Sequence, residues 1–375
     1  MQHPGINCET CHGPGEDHIR AARQAGPGKV PADPKLIVTK KFTHEQMNDL
    51  CASCHARMSP ITDRFRPGDR YFDSFDLIGI ENRDFYPDAR DLGENYTFTS
   101  WRMSPCAKSG QLDCMHCHTS SGRYRFQEPA KANQACMPCH EATVRDVLAH
   151  SHHPHGKPGT ACIDCHMPRT EFARMVRSDH SMRPPAPAAN SPNACNLCHK
   201  DKDAAWSDHA VREWHAKDYQ APVLRQGALI AAARKGDWSE LPAMLAAVGG
   251  PQRDEVMAVA LIRLLRSCPS DEKWPAILAA LQDRSPWVRA AAAETTGDRL
   301  SPDAVAALLK VTRDPVRLPR IRAANALARL PANSVPDGFR ADLQAATREL
   351  DASITSRPDD FASQYIVRRL SGDSR

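Results

Sequence analysis

Two patterns of apolar and polar positions divide the chain. From about residue 221, Val223, Val256, Val288 and Ile321 each open an Ala-rich run: Val-Leu-Arg-Gln-Gly-Ala, Val-Met-Ala-Val-Ala-Leu, Val-Arg-Ala-Ala-Ala-Ala and Ile-Arg-Ala-Ala-Asn-Ala. The spacings are 33, 32 and 33 residues, and Asp283-Arg-Ser-Pro-Trp-Val-Arg and Asp314-Pro-Val-Arg repeat a helix-start turn. This period predicts stacked helix pairs, each burying its apolar face on its neighbours, an α-solenoid. Residues 337–370 read as two further helices, with Arg357-Pro-Asp-Asp opening the second.

The first 205 residues lack such a period. Thr43 with Gln46 forms a capping box that opens a helix at His44. Residues 57–100 hold most of this half's aromatics, Phe65, Tyr71, Phe72, Phe75, Phe85, Tyr86, Tyr96 and Phe98, broken up by Pro and Gly. A long loop packing its rings on cofactor edges is predicted, with an aromatic substrate pocket as the alternative. Residues 141–153 have helical composition, which sets His150 and His153 on one face at i and i+3. Residues 182–192 are an extended Pro- and Ala-rich connector. A helix over 204–216, with Trp206, His209, Trp214 and His215, closes this half. The expected fold is all-α: a loop-rich domain over 1–205, the solenoid over 206–335, and a helical cap over 336–375.

Cysteine placement changes the picture most. Of 14 Cys, 12 fall in six Cys-x-x-Cys-His motifs: Cys8/Cys11/His12, Cys51/Cys54/His55, Cys114/Cys117/His118, Cys136/Cys139/His140, Cys162/Cys165/His166 and Cys195/Cys198/His199. Two thiols three positions apart can add to the vinyl groups of one haem, and the following His is placed to ligate the iron. Zinc sites and redox dithiols share the Cys pairs but do not need a His after every one. Six covalent haems c are therefore expected, with the 12 thiols as attachment points and the six His as proximal ligands. A segment carrying one haem per roughly 34 residues cannot build an ordinary apolar core, so the porphyrins are expected to be much of it.

The remaining Cys are Cys106, an unpaired thiol that is either inert or faces a haem, and Cys268, a core residue. The formal charge of +4 counts only the polypeptide. About two propionates per haem would turn the loaded protein acidic, and no basic run supports nucleic-acid binding. No apolar run is long enough to span a membrane. The start of the chain shows no signal peptide. Attachment of this kind takes place outside the bacterial inner membrane, so a periplasmic or extracellular site is expected, with any leader removed or lying upstream.

Residues 3–18, with Gly-Pro-Gly after His12, resemble the multihaem cytochromes c that include the tetrahaem carrier of hydroxylamine oxidation, hydroxylamine oxidoreductase and pentahaem nitrite reductase. Cys162-Ile-Asp-Cys-His-Met-Pro with Asp179-His180, and Pro192-Asn-Ala-Cys-Asn-Leu-Cys-His, are similar to the same group. The resemblance implies distal ligands at His18 and His180. His3, His44, His150 and His153 complete the expected distal set, with His152 and His155 as alternatives and a zinc-binding His cluster as the competing reading. Met103 is either a haem ligand or core. His116, inside its motif, is too tightly held to serve its own haem. Arg123 and Arg125 are candidate propionate partners. Residues 221–335 resemble HEAT repeats, and the end resembles a tetratricopeptide start.

Eleven His lie outside the motifs, enough for bis-His ligation throughout, which favours electron transfer with redox partner proteins over substrate chemistry. The alternative is an oxidoreductase acting on nitrite, hydroxylamine or a related nitrogen or sulfur compound at one five-coordinate haem. Every motif ends in His, so the proximal Lys of pentahaem nitrite reductase is missing. The repeats would dock a partner. Self-association through haem contacts is compatible with the pattern.

Overall fold

The computed structural model describes residues 6–357 together with Asp359 and Gln364. The first half is built from short helices: α1 (Cys8–His12), α2 (Glu16–Ala25), α3 (His44–His55), α4 (Phe98–Met103), α5 (Pro105–Lys108), α6 (Cys114–Cys117), α7 (Glu141–Arg145), α8 (Val147–Ser151), α9 (Cys162–His166), α10 (Ala194–Cys198) and α11 (Ala204–Trp214). Two antiparallel pairs interrupt them, β1 (Met58–Pro60) with β2 (Phe75–Leu77) and β3 (Arg169–Phe172) with β4 (Met175–Ser178). Thr43 and Gln46 form the reciprocal capping box expected at the start of α3. The turn after His12 has Gly13 at φ 73°, the left-handed region that favours glycine, where a Cβ would press on Ile37 at 3.1 Å.

The solenoid comprises α12 (Ala221–Arg234), α13 (Leu241–Gly249), α14 (Glu255–Leu264), α15 (Lys273–Ala280), α16 (Pro286–Thr296), α17 (Pro302–Val311), α18 (Arg317–Leu327) and α19 (Asp337–Ser356). The even-numbered helices α12, α14, α16 and α18 stack in one row, and α13, α15 and α17 form the second layer. The repeated helix-start turn has a clear cause. Asp283 accepts the Ser285 N–H at 2.7 Å, and Asp314 accepts that of Val316 at 2.9 Å. The same two carboxylates pair with Arg253 and Arg289 of the preceding repeats, so each turn also bolts neighbours together. Of the two helices expected over 337–370, α19 is the first; the second lies outside the described residues.

The aromatic segment departs from expectation. Tyr71, Phe72, Phe75, Phe85 and Phe98 are buried together with Leu77 and Ile80. The Tyr71 ring contacts those of Phe72, Phe75 and Phe98, and Phe72 stacks on Trp287 of α16 at 6.0 Å. They therefore join residues 52–103 and the α12–α18 row into one continuous apolar core. The first half does bury an apolar cluster, over residues 52–103, because it shares a core with a helix face of the second.

Charges fix this joint. Asp76 accepts from Arg263 at 3.0 Å and from Arg322 at 2.5 Å. Arg102 reaches Glu255 at 2.7 Å, and Arg234 donates to the carbonyls of Phe85 and Asn82 at 2.9 and 2.8 Å. Met103 and Cys268 are core residues, 3% and 2% exposed.

Candidate haem site

One cavity of about 2390 Å³ runs through the first half. That exceeds by more than twofold the upper end, about 1,000 Å³, of an ordinary small-ligand pocket. All six motifs line it, and every motif Cys and His except Cys8 faces it. In five motifs the Cys pair sits in or at the edge of a short helix, which puts thiols at i and i+3 on one side. The fourth sits at the end of the 3₁₀ turn Pro129–Cys136. None of the Cys is disulfide-bonded. Among the described residues, no three His, Cys, Asp or Glu side chains converge as a metal-ion site.

The motifs follow one another in space in sequence order. Cys11 lies near Cys51 and Cys54, and the thiols of Cys51 and Cys114 are neighbours that shift one another. His116 donates through Nε2 to the carbonyl of Ala135 at 3.0 Å, joining the third motif to the fourth. The thiols of Cys136 and Cys162 are neighbours that shift one another, and Cys165 lies near Cys195 and Cys198. The hydrogen bond to Cys162, then burial, push the Cys136 thiol up; the bond from Cys114 pulls Cys51 down. Burial pushes Cys117 up to about 11 and Cys165 up to about 12. Cys162, bonded to Cys136, is lowered like Cys51, whereas burial favours the neutral thiol at Cys117 and Cys165.

The histidines divide by how their rings are held. A backbone carbonyl can only accept, so a ring bonded to it through Nδ1 carries its proton there and presents Nε2. Nδ1 donates in this way from His12 to Ile37 at 2.8 Å, from His18 to Pro34 at 2.6 Å and from His118 to Gly122 at 3.1 Å. It does so from His153 to Ser151 at 2.5 Å, from His166 to Arg183 at 3.1 Å and from His180 to Ser178 at 2.8 Å. His44 uses Asp113 instead, at 2.7 Å. Burial is the main cause lowering His166, His180 and His150, which favours the neutral, metal-binding imidazole.

Three motif histidines face a second imidazole. Ring centres are 6.3 Å apart for His118 and His180, 6.1 Å for His150 and His166, and 6.2 Å for His153 and His199. Two imidazoles bound at about 2 Å to one metal place their ring centres about 6 Å apart. The spacing fits imidazole pairs that would hold one iron between them.

His150 and His153 do not share a helix face as the spacing predicted. Asp146 breaks the segment into α7 and α8, and α8 ends at Ser151 with His152 left-handed at φ 56°. The break sends His150 to the fifth motif and His153 to the sixth. His152 lies flat on Trp214 at 4.6 Å, and His209 pairs with Glu213 at the surface. His116 has its Nε2 engaged. His3 lies outside the described residues.

Orphaned polar atoms in the same cavity point to an anionic occupant. The Tyr124 hydroxyl is buried without a partner near Cys117, Cys136 and Cys162, and burial pushes it up to about 12. Gln220, 2% exposed, has neither side-chain polar atom satisfied. Phenol and amide donors of this kind suit haem carboxylates. The residues present thus fit covalent haem in thiols, imidazoles and donors alike. Sequence reading gave neither residue a role, since a lone Tyr or Gln carries no spacing signal. His215, on the cavity wall 5.2 Å from His150, was likewise read only as part of a closing helix. Arg125 holds its motif by donating to the carbonyls of Met115 and His118.

Residues 148–236 match the family model for cytochrome c552, and residues 241–328 match that for HEAT repeats. No solved structure matches the chain. The chain is thus cytochrome-c-like in one segment and built of helical repeats in the next. No helix among the described residues is long and apolar enough to cross a membrane.

Proposed function

We propose that this protein is an electron-transfer cytochrome carrying six covalent haems c, one on each Cys-x-x-Cys-His motif. The observation that carries the reading is the trio of imidazole pairs at 6.1–6.3 Å. Bound haem would supply a one-electron iron centre at each motif. His180, His150 and His153 would close the irons held by His118, His166 and His199. A closed iron exchanges electrons without binding substrate. His18 and His44, with Nε2 presented, serve the N-terminal end together with His3. Tyr124 and Gln220 would donate to propionates. The domains run over 1–205, 206–335 and 336–375. The α13, α15 and α17 layer of the repeats is the surface offered to a redox partner protein. The chemistry of attachment sets the work outside the bacterial inner membrane.

Haem quantified per chain, together with low-temperature electron paramagnetic resonance of the oxidised protein, tests this. Six haems per chain and no high-spin signal are expected. A high-spin signal that changes on adding nitrite or hydroxylamine would replace the carrier reading with a five-coordinate oxidoreductase.

A further inference from the structure

The second and third motifs, and the fourth and fifth, are tied together by the same device. Asn48 stands three residues before Cys51, and Asn133 three before Cys136. Each Asn reaches out of its own motif and caps the attachment helix of the next. Asn48 Oδ1 accepts the N–H of Cys114 at 3.1 Å and lies 3.2 Å from the Cys114 sulfur. Asn133 Oδ1 accepts the N–H of Cys162 at 2.8 Å, while its Nδ2 donates to the carbonyl of Thr160 at 2.9 Å.

The first N–H of a helix has no partner within the helix. In α9 the N-cap residue is Ala161, which offers no side-chain acceptor, so Asn133 fills that place from outside. In α6, Asp113 takes the N–H of Met115, leaving that of Cys114 to Asn48. In both cases the leading thiols of the two motifs touch, Cys51 with Cys114 and Cys136 with Cys162. Among the described residues, no other motif has its attachment helix capped by a side chain from the motif before it. The third and fourth motifs meet instead through the His116–Ala135 bond.

We propose that Asn48 and Asn133 are positioning residues that lock the second haem to the third, and the fourth to the fifth, as two close-packed doublets. The array is then not six equal steps. It is a first haem, two coupled pairs bridged by His116, and a last haem. This inference rests on the six-haem reading and adds to it where electrons are shared.

Close-packed oxidised irons interact magnetically, so the doublets should contribute broadened or missing intensity to the resonance spectrum of the oxidised protein. The Asn133→Ala variant is expected to keep six haems and gain uncoupled low-spin signal equivalent to two haems. Asn133→Asp, which keeps the acceptor oxygen, should retain the parent spectrum. Asn48→Ala should release the other pair independently. Fewer than six haems in the parent protein would defeat the underlying reading. Six haems in Asn133→Ala with an unchanged spectrum would overturn this inference alone. Should the Ala variant lose haem, stepwise reduction of the parent protein decides the matter. Reducing one member of a doublet must uncover the signal of the other, and a titration in which no new signal emerges would overturn the proposal.

Discussion

At the scale of single residues, the nitrogen through which a histidine bonds decides which nitrogen its ring presents. His180 has Nδ1 tied to Ser178 and its ring 6.3 Å from that of His118. Replacing it with Ala should convert one low-spin haem to high-spin. The same change at His116, whose Nε2 is bonded to Ala135, should leave every spin state as it was. Magnetic circular dichroism of the two variants reads both outcomes. The six Cys-x-x-Cys-His motifs were legible in the sequence because their spacing is local: thiol, two residues, thiol, imidazole. The distal partners were legible only as candidates. Whether His150 faces the fifth motif depends on Asp146 breaking a helix, and whether Tyr124 faces three motifs depends on the whole array, which no local pattern encodes.

Asp49 gives a pH-dependent prediction at the same scale. Burial raises its carboxyl to about 6, against the opposing Tyr71 N–H bond and the more distant Arg102. A folded pKa above the unfolded one means that the ionised form is the costly one. Its stabilising contribution is complete below about pH 4 and is lost as pH rises through about 6, by about 3 kcal/mol at most. Asn at this position can still accept the Tyr71 N–H. Asp49→Asn should therefore flatten the decline in unfolding free energy between pH 4 and 6, as denaturant titrations at each pH would show. A parallel decline in both proteins would refute it.

At the scale of elements, the joint between the two halves rests on Asp76. Burial alone would push its carboxyl up, but Arg263 and Arg322 beside it reverse the effect and hold it below the usual carboxylate range. Its stabilising contribution is therefore present above about pH 4 and is lost on acidification. Asp76→Asn removes the carboxylate that two buried guanidinium groups share. Breaking a buried pair in this way costs about 3–5 kcal/mol, and the unfolding midpoint should fall accordingly. The repeat period forecast the helices correctly, since each buries one face on its neighbours. It could not forecast that one row would also bury the 57–103 segment. The pairing of Asp76 with Arg322 spans 246 positions, and nothing near either residue announces it.

At the scale of the molecule, apolar material is unevenly distributed. The continuous core takes its buried members from residues 52–103 and 229–350 and none from 104–228, where four of the six motifs lie. Protein made without haem should therefore keep half its order. Hydrogen exchange is expected to show protected amides at Leu77 and over 256–262, and rapid exchange through 110–215. Uniform loss of protection would contradict this.

The borrowed helix face carries one more consequence, in the timing of biogenesis. A chain whose scaffold closes without cofactor can finish folding one part while the other stays open. Maturation enzymes would then meet Cys114 to His199 as an accessible strip pinned at both ends to something solid. The two leading motifs differ: the first lies outside that scaffold, and the second sits on α3, already held by it. Attachment can thus proceed outward from a fixed edge, each new haem finding its neighbour's position already set.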